Sequence, residues 1–113
     1  MWCYQFEELM QAIRAVTGWE DYSVEEYRRT GARLWLLKRV LNNLMGVTRA
    51  DDRLPEKIRT PLPDGAAAGS VPDEALLLRE YYEVRGLDEV GRPLASVLDE
   101  AGLAEAGAVL YQR

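Results

Sequence analysis

The 113 residues contain no histidine, one cysteine and no apolar run long enough to span a bilayer. Each shortage removes a class of function. Without histidine the chain lacks the commonest general base and the commonest metal ligand. Catalysis by this chain alone would have to rest on carboxylates, tyrosine, lysine or Cys3, and the composition argues against an independent catalyst. The lone cysteine can form neither an internal disulfide nor a metal site built only from thiolates, and single-cysteine usage suits a reducing cytoplasm. No stretch approaches the ~18 apolar residues of a membrane-spanning helix. Glu7 and Glu8 stand where a secretory leader would be apolar, so a cytoplasmic protein is expected. Basic charge is also short. Fourteen Lys and Arg against nineteen Asp and Glu leave a net charge of −5, which argues against a nucleic-acid partner.

What is present is an apolar share of 48%, enough for a packed core, in a length suited to one domain spanning 1–113. Phe6, Leu9, Met10, Ile13 and Val16 recur at steps of three and four and predict a helix over 4–17, ended by Gly18. Ser23-Val24-Glu25-Glu26 reads as a capping box, with Glu26 reaching back to the cap. A long helix over 24–45 follows. Tyr27, Leu34, Leu37, Leu41, Leu44 and Met45 are expected on its buried face, widened by Trp35 and Val40. Arg28, Arg29, Arg33, Lys38 and Arg39 make the other side basic. Gly31 sits inside this helix at a cost of about 1 kcal/mol against alanine, and close approach of another backbone would be one reason to keep it. Residues 47–72 carry Pro55, Pro61, Pro63, Pro72, Gly65 and Gly69. Such long connections are usually functional or packed along a larger body. A third helix is predicted over 73–85, with Leu77, Leu78, Tyr81, Tyr82 and Val84 on its apolar side. A short fourth is predicted over 94–101, with Leu94, Val97 and Leu98 inward, and the tail is expected to make a partial turn. No segment alternates with period two. The expected fold is all-α, an irregular bundle of about four helices with a long Pro/Gly-rich connection.

Several clusters admit a chemical and a plain reading. The basic side of the long helix could bind phosphate, but a solvated face pairing with Glu25 and Glu26 fits the net charge better. Asp51-Asp52 could act as a carboxylate pair, yet aspartates more often cap turns. Trp19, Trp35, Tyr81 and Tyr82 could stack on a ligand, although aromatics at helical spacing are more often core. Cys3, taken alone, reads as a small buried hydrophobe.

Three stretches in order add a resemblance. "GARLWLLKRVLNNLMGVTRADDRLP" (31–55) looks like the C-terminal region of the aldehyde:ferredoxin oxidoreductases, tungsten enzymes with a pterin cofactor and a 4Fe-4S cluster. Gly31, Arg33, Leu37, Arg39, Asn42 and Gly46 fall on the family's helix pattern, and Thr48, Arg49, Asp52, Leu54 and Pro55 on its T-R-x-x-D-x-L-P continuation. "PLPDGAAAG" (61–69) resembles the family's proline-glycine loop. "EYYEVRGLDEVGRP" (80–93) resembles its E-Y-Y-x-x-R-G-W-D-x-x-G-x-P signature, with Leu87 in place of Trp. Leu41 likewise replaces a usual aromatic.

The resemblance implies a role for the cysteine. In that family a cysteine just before the first helix of this region completes the cluster, and the other three come from a distant C-x-x-C-x-x-x-C run. Cys3, followed by Phe6, stands at about that position, so the resemblance implies that Cys3 is a cluster and metal ligand. The family's pterin-contacting motif and catalytic residues would lie upstream. The resemblance therefore implies a C-terminal fragment or separately encoded piece, inactive by itself, whose partners are the remaining domains or subunit. In the complete enzyme, a 4Fe-4S cluster and a tungsten-bispterin would carry electrons from an aldehyde to ferredoxin; neither group is expected on this chain alone. The acidic chain offers no clear patch for ferredoxin. The alternative is a non-catalytic helical interaction module that keeps the family fold, binds through uncovered apolar surface and could form a homodimer.

Overall fold

A computed structural model describes residues 5–112, so Cys3 lies outside the described residues. The elements among the described residues are helical: α1 (Phe6–Thr17), α2 (Val24–Leu44), α3 (Glu56–Arg59), α4 (Glu74–Arg85), α5 (Ala95–Glu100) and α6 (Ala104–Tyr111), with a 3-10 turn at Arg49–Asp51. None of these helices is long and apolar enough to cross a membrane.

The sequence explains most of the boundaries. Gln5 and Glu8 close a capping box on α1, and Gly18 ends it with φ 73° while donating its N–H to Arg14 O. The Ser23 hydroxyl accepts from the Glu26 N–H at 3.1 Å, as its position predicts. The reciprocal half of that box does not form, because the Glu26 carboxylate pairs with Arg29 instead. A pair one turn away in the helix competes with the backbone for the same carboxylate.

The core lies where α2 meets the C-terminal helices. Leu36, Val40, Leu98, Leu103 and Leu110 are buried together, with Trp35, Leu44, Val97, Ala101 and Ala106 packed against them. The tail expected to make a partial turn is a full helix, α6. Leu103, Ala106, Gly107 and Leu110 have helical spacing, and Leu98 supplies the apolar surface that a short helix needs to persist. Gly107 is part of this fit, since a Cβ there would stand only 3.3 Å from Leu98 Cδ1.

The expected inner face of α2 is displaced. Leu36, Arg39 and Val40 are its buried residues. Leu34, Leu37, Leu41 and Met45 are 56%, 40%, 57% and 75% exposed. The helix carries two apolar stripes about 125° apart around its axis, and α5 and α6 cover the one containing Leu36 and Val40. Helix α4 also buries less than its pattern suggests: Tyr82 is buried, whereas Leu77, Tyr81 and Val84 remain exposed. Leu94 caps α5 and is likewise exposed.

The connection between α2 and α4 contains the 3-10 turn, the single-turn α3 and an isolated bridge between Leu62 and Ala68. From Thr60 to Asp73 every side chain is exposed. The molecule measures 53 × 44 × 21 Å with a radius of gyration of 18.5 Å. A compact domain of similar length would have about 13 Å. The chain is a thin slab.

Candidate functional site

The most connected polar cluster joins four segments that are distant in sequence. Arg39 projects from the buried face of α2. Its Nη1 and Nη2 donate to Asp52 Oδ1 and Oδ2 at 2.8 and 2.6 Å, a bidentate pair, and its Nε donates to Gly91 O at 2.6 Å. The Tyr82 hydroxyl, from α4, donates to Asp52 Oδ2 and accepts from Arg39 Nη2 at 3.3 Å. Asn43, one turn beyond Arg39, donates to Gly91 O and Val47 O. The Arg49 guanidinium covers the Tyr82 ring at 4.5 Å, and the Arg49 backbone N–H donates to Val90 O.

Local structure holds each member. Thr48 and Asp51 cap the 3-10 turn reciprocally, so Asp51 serves the turn and the adjacent Asp52 is aimed at Arg39. The doublet is therefore divided between two tasks and is not a carboxylate pair. Asp88 organises the turn after α4 by accepting from the N–H groups of Val90 and Arg92 and from Arg92 Nε. That turn presents the Gly91 carbonyl. Gly91 has φ 87°, and a Cβ there would overlap Arg39 Nη2 and lie 2.9 Å from the Tyr82 hydroxyl. Only glycine allows this close approach.

The electrostatics are those of a clamp. The hydrogen bonds from Arg39, opposed by burial, hold the Asp52 carboxyl below its usual range. Burial, followed by the bond to Asp52, pushes the Tyr82 hydroxyl up to about 12. The Arg39 guanidinium is raised chiefly by its bond to Asp52. Asp52 is thus a poor proton acceptor with its lone pairs engaged, and Tyr82 is a poor acid. Neither is poised for acid–base chemistry near neutrality. The arrangement pins the connection and the 87–93 turn onto α2 and α4.

The other expected sites separate. Arg28, Arg29, Arg33 and Lys38 lie exposed on α2, but Arg39 is 8% exposed and does not belong to a solvated basic face. Trp35 meets Tyr81 edge-on and lies beneath the Arg85 guanidinium at 4.6 Å. Trp19, expected to be core, packs on Tyr22 and is 61% exposed. Arg39 as an anchor was hidden by reading it with its basic neighbours. The signal was its place between Leu36 and Val40, the two residues that prove most buried on that face.

No group of three or more His, Cys, Asp or Glu among the described residues could hold a metal ion. An iron–sulfur cluster needs four ligands, ordinarily thiolates, and the chain has one cysteine. These residues alone do not fit a cluster.

Known proteins resemble this chain over most of its length. The family model described as "Aldehyde ferredoxin oxidoreductase, domains 2 & 3" matches residues 1–103. The tungsten-containing aldehyde ferredoxin oxidoreductase of Thermococcus kodakarensis is 34% identical over 101 residues, covering 88% of this chain and 16% of the relative. The corresponding protein of Pyrococcus furiosus is 33% identical over the same share. The aliphatic sulfonate oxidoreductase, WOR-like subunit, of P. furiosus is 33% identical over 109 residues, covering 89% of this chain and 18% of that protein. The chain thus spans about a sixth of the length of these relatives. Arg39, Asp52, Tyr82 and Gly91, which the motifs singled out, are the residues that lock the slab together, and the chain belongs to the aldehyde ferredoxin oxidoreductase family, within the region of its domains 2 and 3.

Proposed function

We propose that this chain is the C-terminal helical portion of an aldehyde:ferredoxin oxidoreductase-like enzyme and is inactive by itself. It would form a wall over the cofactors and supply one cluster ligand, the Cys3 thiolate, to a 4Fe-4S cluster whose other ligands lie on a different segment. What carries this reading is the family match over residues 1–103, a span that includes Cys3. When bound in the complete enzyme, tungsten-bispterin and the cluster would supply the redox chemistry that converts an aldehyde to a carboxylic acid and passes electrons to ferredoxin. The chain's own contribution is positional. The clamp holds the connection and the 87–93 turn rigid, and α1, which begins three residues after Cys3, is capped by Gln5 and Glu8.

The test is anaerobic reconstitution with iron and sulfide. The chain is treated alone and with an oxidoreductase polypeptide carrying the C-x-x-C-x-x-x-C run, comparing native Cys3 with Cys3→Ala. The expected result is a cluster, seen by absorbance and electron paramagnetic resonance, only in the pair and only with Cys3. A cluster unaffected by Cys3→Ala would reject the ligand assignment. Failure to pair would favour an independent helical interaction module, which the exposed apolar stripe of α2 could also serve.

A further inference from the structure

We infer that the outer face of α2 is a docking surface for the part of the oxidoreductase outside these 113 residues, and that the partner presents an apolar patch edged with carboxylates. The inference rests on the function proposed above. Leu34, Leu37, Leu41 and Met45 follow one another at steps of three and four along this face, all exposed. A helix that is apolar over more than one face is normally covered on each. Here α5 and α6 cover the Leu36–Val40 side and α1 packs on the N-terminal turns, where Phe6 meets Tyr27, which leaves Leu34 to Met45 open. Arg33 and Lys38 border the exposed stripe on either side. Both are exposed and make no ion pair among the described residues. They provide the polar rim around an apolar centre that interfaces commonly show.

Gly31 belongs to the same open side. A helix-interior glycine is unfavourable, and no contact among the described residues explains it, because a Cβ there would meet no atom of theirs within 4 Å. Close approach of a partner backbone would account for it. The relatives contain about five times as much chain again beyond the matched part, enough to supply that partner.

A second copy of the chain fits less well. Pairing two stripes about a twofold axis midway between Leu34 and Met45 would bring the two Lys38 ammonium groups near the axis, like charge against like.

The test uses tagged chain coexpressed with the oxidoreductase polypeptide that carries the C-x-x-C-x-x-x-C run, and reads the amount of partner copurified. Leu37→Asp with Leu41→Asp should leave the helical circular dichroism and melting midpoint of the chain alone nearly unchanged and reduce copurification at least tenfold. Arg33→Glu with Lys38→Glu should weaken pairing and flatten its dependence on salt. Gly31→Ala should raise the melting midpoint of the isolated chain yet lower copurification. Equal copurification by all variants, no pairing by the parent, or a parent dimer abolished by Leu37→Asp with Leu41→Asp would each overturn the inference. The two readings separate through Cys3→Ala. If it abolishes the cluster but not the pairing, docking and ligation are distinct. A cluster that forms in the pair despite Leu37→Asp with Leu41→Asp sinks the docking face while leaving the function proposed for Cys3 intact.

Discussion

Gly91 combines a left-handed backbone, a carbonyl shared by Arg39 and Asn43, and no room for a Cβ. Gly91→Ala is expected to destabilise the chain by about 2–3 kcal/mol, since strain at such a position costs ~1–3 kcal/mol before Arg39 is displaced. Urea unfolding would measure this. Gly31→Ala, at an open site of ordinary helical φ, should instead be stabilising by about 1 kcal/mol in the isolated chain. The titrating members of the clamp give two pH signatures. Asp52 has a folded-state pKa below the usual 3.8. Its contribution is therefore complete above pH ~4 and is lost as pH falls through the lower folded value. Asp52→Asn should remove that part of the acid dependence. Tyr82 is raised from 10.0 to about 12. Its contribution is complete below pH 10 and is lost as pH rises toward 12, so Tyr82→Phe should lessen the alkaline loss of stability seen in thermal melts at stepped pH. The motifs named Arg39, Arg49, Asp52, Tyr82 and Gly91, but not what they do, and they passed over Asn43, which shares the Gly91 carbonyl. Periodicity sorts positions into faces and cannot show that a carboxylate thirteen residues away and a tyrosine forty-three away converge on one guanidinium.

At the scale of elements, the helices with strong punctuation were legible. Gly18, Ser23 and Gly86 mark their ends by chemistry that acts within one turn, and the observed boundaries follow them closely. Among the elements not foreseen, which include the single-turn α3 and the 3-10 turn, α6 depends on tertiary support. It has no side-chain cap and gains its stability from Leu103, Gly107 and Leu110 meeting α2 and α5. Leu98, fully buried at that junction, is its main support. Leu98→Ala is expected to cost about 3 kcal/mol. Hydrogen exchange should show the loss first in 103–111, whereas α1 should be little changed. The misplaced face of α2 has a related cause. Two apolar stripes on one helix give nearly equal signals, and only the positions of α5 and α6 decide which is internal. The exposed stripe carries the same sequence signature as the buried one because both are built to be covered.

Across the whole molecule, the slab is held by bonds that bypass its own connection. Arg39 to Gly91, Asp52 to Tyr82, and the Leu54 N–H to the Glu74 carboxylate all join residues before Pro55 to residues after Asp73. The all-helical class followed from the absence of period-two segments, and the length of the connection was plain from its prolines and glycines. That its part from Pro55 to Asp73 is bypassed by the bonds holding the slab was not, because that depends on contacts formed on either side of that part. Lys57 and Arg59 stand exposed within the bypassed segment. Limited trypsin cleavage there should yield two pieces that elute together on gel filtration and separate only in denaturant. Arg39→Leu should make the nicked pieces part more readily than the intact chain unfolds. The connection is therefore a natural split point: two separately made halves, one ending and the other beginning within it, should reassemble by complementation, with the arginine clamp as their fastening.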